Sequence, residues 1–358
     1  MPIRSNWSLA REGITFDTVV NLITSTALNP HLTLPLYLLG KYTAKGQEIA
    51  GQNGKIFDRL KIALAIGAIR AASSWLDKAV LNNFKSDVYD WNKEVVVVTG
   101  GSDGIGKIVT LLLAEKGIKV AVLDIQPLTF TAPRNVHYFN CDLANASAIT
   151  ETAQEITAKL GAPTVLINNA GFARKQSIVE SSPKAVDLTF AINTVAHYHL
   201  AREFLPSMIK NNHGMVVTVA SLAGHVTAPN MVDYAASKAA AVAFHEGLSA
   251  EIPTLYKAPK IRTVLVCQGY TKTPLFEGFA KGDGFMQYML YPETVGEEIA
   301  KAVLSGRSNY IVLPANSWGV AMKLRALPLW LQGHMRKDLV KVMAQFRGRQ
   351  VEQPSEKS

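Results

Sequence analysis

The stretch Val95-Val96-Val97-Val98-Thr99-Gly100-Gly101-Ser102-Asp103-Gly104-Ile105-Gly106 decides the fold. Its four valines make an uninterrupted β-branched run, the pattern of a strand covered on both faces. The glycines that follow permit a sharp turn into a helical pattern that runs through Lys116. At such a junction the first helical N–H groups and the positive end of the helix dipole face one point, which suits a phosphate, and glycine lets it approach the backbone. Glycine-rich turns also serve as plain connectors, so the strand before and the helix after carry the inference. Gly100, Ser102, Gly104, Ile105 and Gly106 are the expected contacts on the phosphate side of a dinucleotide.

Working outward, Val120 to Leu123 reads as a second apolar strand, and it ends in Asp124. A carboxylate there can hydrogen-bond the adenosine ribose hydroxyls and would repel a 2′-phosphate. No Arg or Lys follows in Ile125-Gln126-Pro127 to offset the charge, so NAD is the expected cofactor in preference to NADP. Cys141-Asp142-Leu143 closes another apolar run, with Asp142 suited to the adenine amino group and Leu143 beside it. Val165 to Ile167, Met215 to Val219 and Arg262 to Val266 are further strands, separated by helical patterns. Apolar strands alternating with helices predict an α/β fold built on a doubly wound parallel sheet.

Tyr234-Ala235-Ala236-Ser237-Lys238 opens a helical stretch, so Tyr234 and Lys238 share one face, one turn apart. A free phenol titrates near pKa ~10, too high for an efficient base at neutral pH, and a nearby ammonium favours the phenolate. Ser221 closes the strand Met215 to Val219, and Asn193 lies in the helix before it. The spacing Thr99-Gly100-x-x-x-Gly104-x-Gly106, the later Asn168-Asn169-Ala170-Gly171, and Asn193, Ser221, Tyr234 and Lys238 in that order resemble the short-chain dehydrogenase/reductase family. The resemblance covers about residues 93 to 275 and implies a Rossmann fold. It also implies that Asn169, Ala170 and Gly171 line the cofactor, Ser221 binds the substrate oxygen, and Tyr234 moves its proton. Lys238 then lowers the Tyr234 pKa and holds the nicotinamide ribose, and Asn193 positions a relay water. In that scheme hydride passes between the nicotinamide and a carbinol carbon, with no metal required.

After the strand ending at Val266, the family usually has Pro-Gly and then a Thr. Here the text is Gln268-Gly269-Tyr270-Thr271-Lys272-Thr273, so Gly269, Thr271 and Thr273 are expected beside the nicotinamide while Gln268 departs from the pattern. Pro274 to Leu290, with Phe276, Phe279, Phe285, Met286 and Met289, reads as an apolar substrate lid. Between residues 188 and 248 the sequence is similar to the branch that contains 17β-hydroxysteroid dehydrogenase type 11 and retinol dehydrogenase type 10. That likeness implies a small lipophilic substrate, a membrane or lipid-droplet surface at the endoplasmic reticulum with the catalytic domain in the cytosol, and a homodimer formed through the helices of Asn193 and Tyr234.

The flanks differ in character. Charged residues are 18% of the chain, below the roughly 25% usual in soluble domains, and the formal net charge is +9. Thr18 to Gly40 holds no Asp, Glu, Lys or Arg, but Asn29, Pro30 and Pro35 argue for a re-entrant or interfacial segment rather than a straight span; a core-packed arm is the other reading. Ile56 to Leu81 has the pattern of an amphipathic helix. Beyond residue 320, leucines and Trp330 sit among Lys323, Arg325, Arg336, Lys337, Lys341, Arg347 and Arg349, as in a membrane-surface element or a solvated terminal helix. The expected organisation is an extension over 1–90, a catalytic domain over 91–305 and an apolar, basic extension over 306–358, both extensions helical and membrane-associating.

Cys141 and Cys267 are the only cysteines and the histidines match no ligand spacing, so neither a disulfide framework nor a metal site is expected. The excess of base lies beside leucines rather than in a recognition motif, against nucleic acid as a partner. The expected function is interconversion of a lipophilic secondary or allylic alcohol and its carbonyl with NAD(P). The alternatives are an NADP-dependent ketone reductase of a secondary-metabolite pathway and, outside enzymes, a cofactor-binding scaffold on lipid surfaces.

Overall fold

The computed structural model describes residues 3–5, 9–278, 288–319, 321–340, 346, 348 and 354. The valine run forms β1 (Val95–Thr99), buried at every position, as expected of a strand packed on both faces. It leads into α5 (Gly104–Ala114), after the N-terminal helices α1 (Phe16–Ser25), α2 (Pro30–Tyr42), α3 (Ala44–Gln52) and α4 (Gly54–Leu81). The chain continues through β2 (Lys119–Asp124), β3 (Val136–Asn140), α6 (Ala146–Leu160), β4 (Val165–Asn168), α7 (Pro183–Phe190) and α8 (Ala196–Asn211). It ends with β5 (Met215–Val219), α9 (Val232–Thr254), β6 (Arg262–Gln268), α10 (Pro292–Leu304), β7 (Asn309–Leu313) and α11 (Leu329–Asp338).

The strands form one parallel sheet in the order β3-β2-β1-β4-β5-β6-β7. Alternation along β1 separates two cores: Val96 and Val98 face α5 and α10, while Val97 faces α6 and α8. α5 turns Ile108, Val109, Leu112 and Leu113 onto the sheet. Gly296 lets α10 approach closely, because a Cβ there would come within 2.6 Å of Ile108 Cγ2. The order reverses between β1 and β4, which opens a crevice at their carboxyl ends, where doubly wound sheets bind ligands. The sheet also extends beyond the expected limit of the catalytic domain: β7 lies past residue 305 and pairs with β6 from Val264↔Asn309 to Gln268↔Leu313.

The uncharged N-terminal stretch is not one helix. It breaks at residues 26–29, where Asn29 caps α2 by accepting from His31 N at 3.0 Å and Pro30 occupies the first turn. α4 packs against this turn through Gly67, where a Cβ would meet Leu28 O at 2.5 Å, and Tyr37 stacks on Phe57 with ring centres 5.6 Å apart. Among the described residues no helix is long and apolar enough to cross a membrane. Leu32, Leu36 and Leu39 of α2 and Ile62, Ile69 and Trp75 of α4 are nevertheless exposed.

The flanks of this helical unit are tied to the sheet domain, so residue 90 does not mark a clean boundary. Arg11 forms a two-pronged bond to Glu297 at 2.9 and 2.6 Å, and Asp17 accepts from Ala315 N at 2.6 Å, Asn316 N at 2.8 Å and Tyr288 Oη at 2.9 Å. Arg262, 1% exposed, donates to Asn82 O at 3.1 Å and Lys85 O at 2.8 Å. His213 bridges Asp87 at 2.7 Å and Glu94 at 3.3 Å.

Candidate active site

The glycine turn lies at the crevice. Gly100 has φ +63°, and a Cβ on it would come within 2.8 Å of Ala170 Cα, so only glycine allows the ends of β1 and β4 to meet. A side chain at Gly106 would overlap Gly100 O and Asn169 Nδ2. The second signature staples the same ends: Asn169 Nδ2 donates to Thr99 O at 3.0 Å and Gly100 O at 3.1 Å, and the N–H groups of Asn169 and Ala170 both donate to Thr99 Oγ1 at 3.0 Å. Asp103, not among the contacts expected from the sequence, lines the crevice and caps α5 by accepting from Gly104 N at 2.8 Å. Its place directly before Gly-Ile-Gly is an N-cap signal.

At the end of β2, Asp124 accepts from Ser102 N and Gln126 N, both at 3.1 Å. Ser102 is fully buried and its Oγ donates to Gln126 O at 2.9 Å. It shapes the turn and is not among the residues that line the cavity, in contrast to its expected contact role; Gly106 and Asp142 are also set back from the wall. Asp142 accepts from Ala144 N at 2.9 Å, while Leu143 does line the cavity.

The expected catalytic residues gather at the ends of β5 and α9. Tyr234, Ser221 and Lys238 are buried and line one cavity of about 760 Å³ together with Gly100, Gly104, Ile105, Asp124, Asn169, Ala170, Gly171, Gly269, Thr271 and Thr273. Burial holds the pKa of the Tyr234 phenol well above its ordinary value, and a hydrogen bond with Ser221 offsets only part of that rise. Ser221 Oγ accepts from Ala223 N at 3.1 Å and donates to Gln268 O at 3.3 Å. Lys238 Nζ donates to Val219 O at 2.9 Å, lies 5.9 Å from the centre of the Tyr234 ring, and is lowered by burial to about 8. Behind it, burial lowers the pKa of His197 to about 3 and of His245 to about 4.

Asn193 is placed differently from the expectation. It sits in a π-helical turn, Ala191–Val195, between α7 and α8, a distortion that often marks functional positions. Its amide is committed to protein: Nδ2 donates to Phe172 O at 2.8 Å and Ser237 Oγ at 2.9 Å, and Oδ1 accepts from Phe172 N at 2.7 Å. Thr194 Oγ1 donates to Ser237 O at 2.8 Å, and Ser237 Oγ donates to Tyr234 O at 2.8 Å. Asn193 therefore fixes the first turn of α9, which carries Tyr234, and does not itself line the cavity.

Several walls come from segments the sequence reading assigned elsewhere. Phe16 of α1, Asn316, Met335 and Leu339 line the cavity, so the C-terminal segment closes it as well as presenting Leu329 and Trp330 to the surface. Arg325 donates to Gly224 O at 3.0 Å, and fully buried Leu324 anchors the segment. Phe276 lies edge-on to Tyr234, ring centres 5.7 Å apart, and 5.9 Å from Phe346. Of the expected lid, residues 279–287, with Phe279, Phe285 and Met286, lie outside the described residues, as do Lys341, Arg347 and Arg349 of the basic C-terminus.

The site fits a dinucleotide. Backbone without side chains faces the crevice at a helix N-terminus, a carboxylate stands at the end of the second strand, and the cavity runs from there to Tyr234. The family model for short chain dehydrogenases matches residues 94–283. The chain belongs to that family: it is an oxidoreductase that interconverts an alcohol and its carbonyl by hydride transfer with a nicotinamide cofactor.

Among known proteins it is similar to Dehydrogenase RED2 of Cochliobolus heterostrophus, 45% identical over 206 residues that span 57% of this chain and 77% of the relative. It is also similar to human Estradiol 17-beta-dehydrogenase 11, 32% identical over 66% of this chain and 79% of the relative. A solved 4-hydroxyisoleucine dehydrogenase complexed with NADH shares the fold at a TM-score of 0.56 and 22% identity, over 61% of this chain and 96% of its own.

Proposed function

We propose that this protein is an NAD-preferring dehydrogenase of a lipophilic secondary or allylic alcohol, working at a membrane or lipid-droplet surface. The observation that carries the reading is a large cavity that joins the glycine turn to Tyr234 and is walled beyond it by Leu222, Val226, Met231, Leu275, Phe276 and Met335. Apolar walls of that size favour an apolar substrate, with a few polar groups fixing its orientation. The name of the human relative, a steroid dehydrogenase, supports the same substrate class. NAD is favoured because the Asp124 carboxylate, held by two backbone N–H groups, faces the cavity at the strand end and disfavours a 2′-phosphate.

In this reading Ser221 binds the substrate oxygen and Tyr234 takes the hydroxyl proton in oxidation or returns it in reduction. Bound nicotinamide supplies the hydride acceptor or donor. Lys238 is the adjoining cation that favours phenolate, and Asn193 holds the helix start that aims Tyr234. Gly100, Gly104, Ile105 and Asn169 to Gly171 form the cofactor cradle, with Gly269, Thr271 and Thr273 toward the nicotinamide. Residues 1–90, with their exposed leucines, isoleucines and Trp75, and the exposed Leu329 and Trp330 serve as the membrane-facing surface, helped by the net positive charge. The exposed Val195 and Tyr198 of the Asn193 segment suit a homodimer contact.

The test is turnover of a panel of steroid, retinoid and long-chain secondary alcohols, followed by absorbance of the reduced nicotinamide, with flotation on anionic liposomes as a parallel assay. Oxidation of apolar alcohols and co-flotation support the proposal. Activity confined to small polar alcohols, or a protein that stays at the bottom of the gradient, contradicts it.

A further inference from the structure

Phe346 lies beyond residues 94–283, the part of the chain that the family model matches, yet it is only 3% exposed, so this point of the C-terminal extension is built into the protein. It belongs to an apolar cluster that contains Met231 and Tyr234 and is flanked by Ala223, Leu275 and Phe276, and all five of these line the main cavity. The rings stand in series. Phe276 is edge-on to Tyr234 with ring centres 5.7 Å apart, and Phe346 backs Phe276 at 5.9 Å, both within the range of packed aromatic pairs. A second contact pins the tail at the same place: Gly348 N donates to Glu277 O at 3.0 Å, next to the turn Pro274–Phe276. Gly348 has φ +57°, and a Cβ on it would come within 2.9 Å of Leu275 O and 2.7 Å of Phe346 Cζ, so the tail crosses the turn at a distance that only glycine allows.

We propose that Phe346 is a positioning residue that limits the width of the substrates this site accepts. It acts through Phe276, which walls the cavity beside Tyr234. Protein interiors are close-packed, so a ring backed by another ring has little room to retreat from a bulky ligand. With Phe346 removed, Phe276 is free to swing away from Tyr234, and a broader apolar skeleton gains entry. The glycine turn and the ends of β1, β2 and β4 do not take part in this contact, so cofactor binding is left as it was. The inference rests on the dehydrogenase reading of this cavity and adds a determinant of substrate shape supplied by the C-terminal tail.

The experiment compares kcat/KM for cyclododecanol and 2-dodecanol, a wide and a slender secondary alcohol of equal carbon number, in the full chain and in three variants. Phe346→Ala removes the backing ring, Phe346→Leu keeps part of its bulk, and Gly348→Ala displaces the tail while leaving the ring in the sequence. NADH binding is followed by fluorescence in each. In Phe346→Ala and in Gly348→Ala the ratio of the wide to the slender alcohol is expected to rise at least about tenfold over the parent, chiefly through KM, with NADH affinity within about threefold. Phe346→Leu falls between the parent and Phe346→Ala. A merely structural role would lower both rates together, so a ratio that stays at the parent value in the variants that fold overturns the proposal. Failure of the parent to oxidise these or any other apolar alcohol overturns the dehydrogenase reading on which the proposal rests, a result distinct from turnover with an unmoved ratio.

Discussion

The ammonium of Lys238 donates to the carbonyl oxygen of Val219 at 2.9 Å, which ties the helix of Tyr234 to the end of β5 and holds a cation fully inside the protein. That placement opposes stability, and in the proposed mechanism it serves chemistry. Burial lowers the Lys238 pKa to about 8, so below that pH the fold carries a desolvated charge, and the penalty fades as pH rises from about 8 toward the unfolded value.

Lys238→Met is therefore expected to raise the thermal midpoint at pH 7 while lowering kcat/KM at least about 100-fold. The stability gain should shrink by pH 10. Thermal melts at both pH values, beside steady-state rates, check the pair of outcomes; a variant that is less stable at pH 7 counts against the burial argument.

In the proposed function, cofactor choice rests on Asp124. Asp124→Ser removes the carboxylate at the end of β2, and the ratio of kcat/KM with NAD to that with NADP is expected to fall at least about tenfold, a change of about 1.4 kcal/mol. An unchanged ratio would show that some other residue sets the preference.

His213 links the segment before the sheet domain to β1. Its hydrogen bond to Glu94 leads the raising of its pKa, against burial, with Asp87 adding to it. For Glu94, burial pushes up but the bonds from His213 and Thr164 hold the carboxyl below its ordinary value. The raised His213 contribution is complete below its unfolded value near ~6.5 and is lost as pH rises through the folded value. The depressed Glu94 contribution is present above ~4.3 and is lost as pH falls through its folded value. Melts across pH 5 to 9 should show the parent losing stability on the alkaline side more steeply than His213→Gln; parallel curves would remove this account of the junction.

Asn193 couples three segments through one amide. Asn193→Ala leaves the buried main-chain N–H and C=O of Phe172 unpaired and removes the bond that Ser237 Oγ accepts, with an expected loss of about 2–4 kcal/mol in a denaturant titration. Activity should fall through kcat more than through KM, because the start of α9 is displaced rather than the substrate wall. A stable variant with full kcat would deny Asn193 its positioning role.

The first strand, the glycine turn, the Asp124 position and the pairing of Tyr234 with Lys238 were legible because each depends on neighbours within a few residues. β7 was not: in Asn309–Leu313 only Ile311 and Val312 are buried, a signal too short to separate an edge strand from a loop. The π turn was hidden for another reason. Phe190 to Val195 reads as unbroken helix, and what bends it is bonding of Asn193 to Phe172 and Ser237, residues remote in sequence. Phe16 and Met335 looked like parts of separate extensions, and only Asp17 bonding to Ala315 and Asn316 brings those ends together over the cavity. Ser102 fitted a spacing but turns its hydroxyl to Gln126, a choice no local pattern reveals.

The proposed role of Tyr234 as acid/base residue of this site stands or falls with Tyr234→Phe. Turnover of an apolar secondary alcohol is measured together with NADH binding by fluorescence. Loss of kcat by at least about 10³-fold is expected, with cofactor affinity within threefold of the parent. Activity within tenfold of the parent, with binding intact, would contradict it.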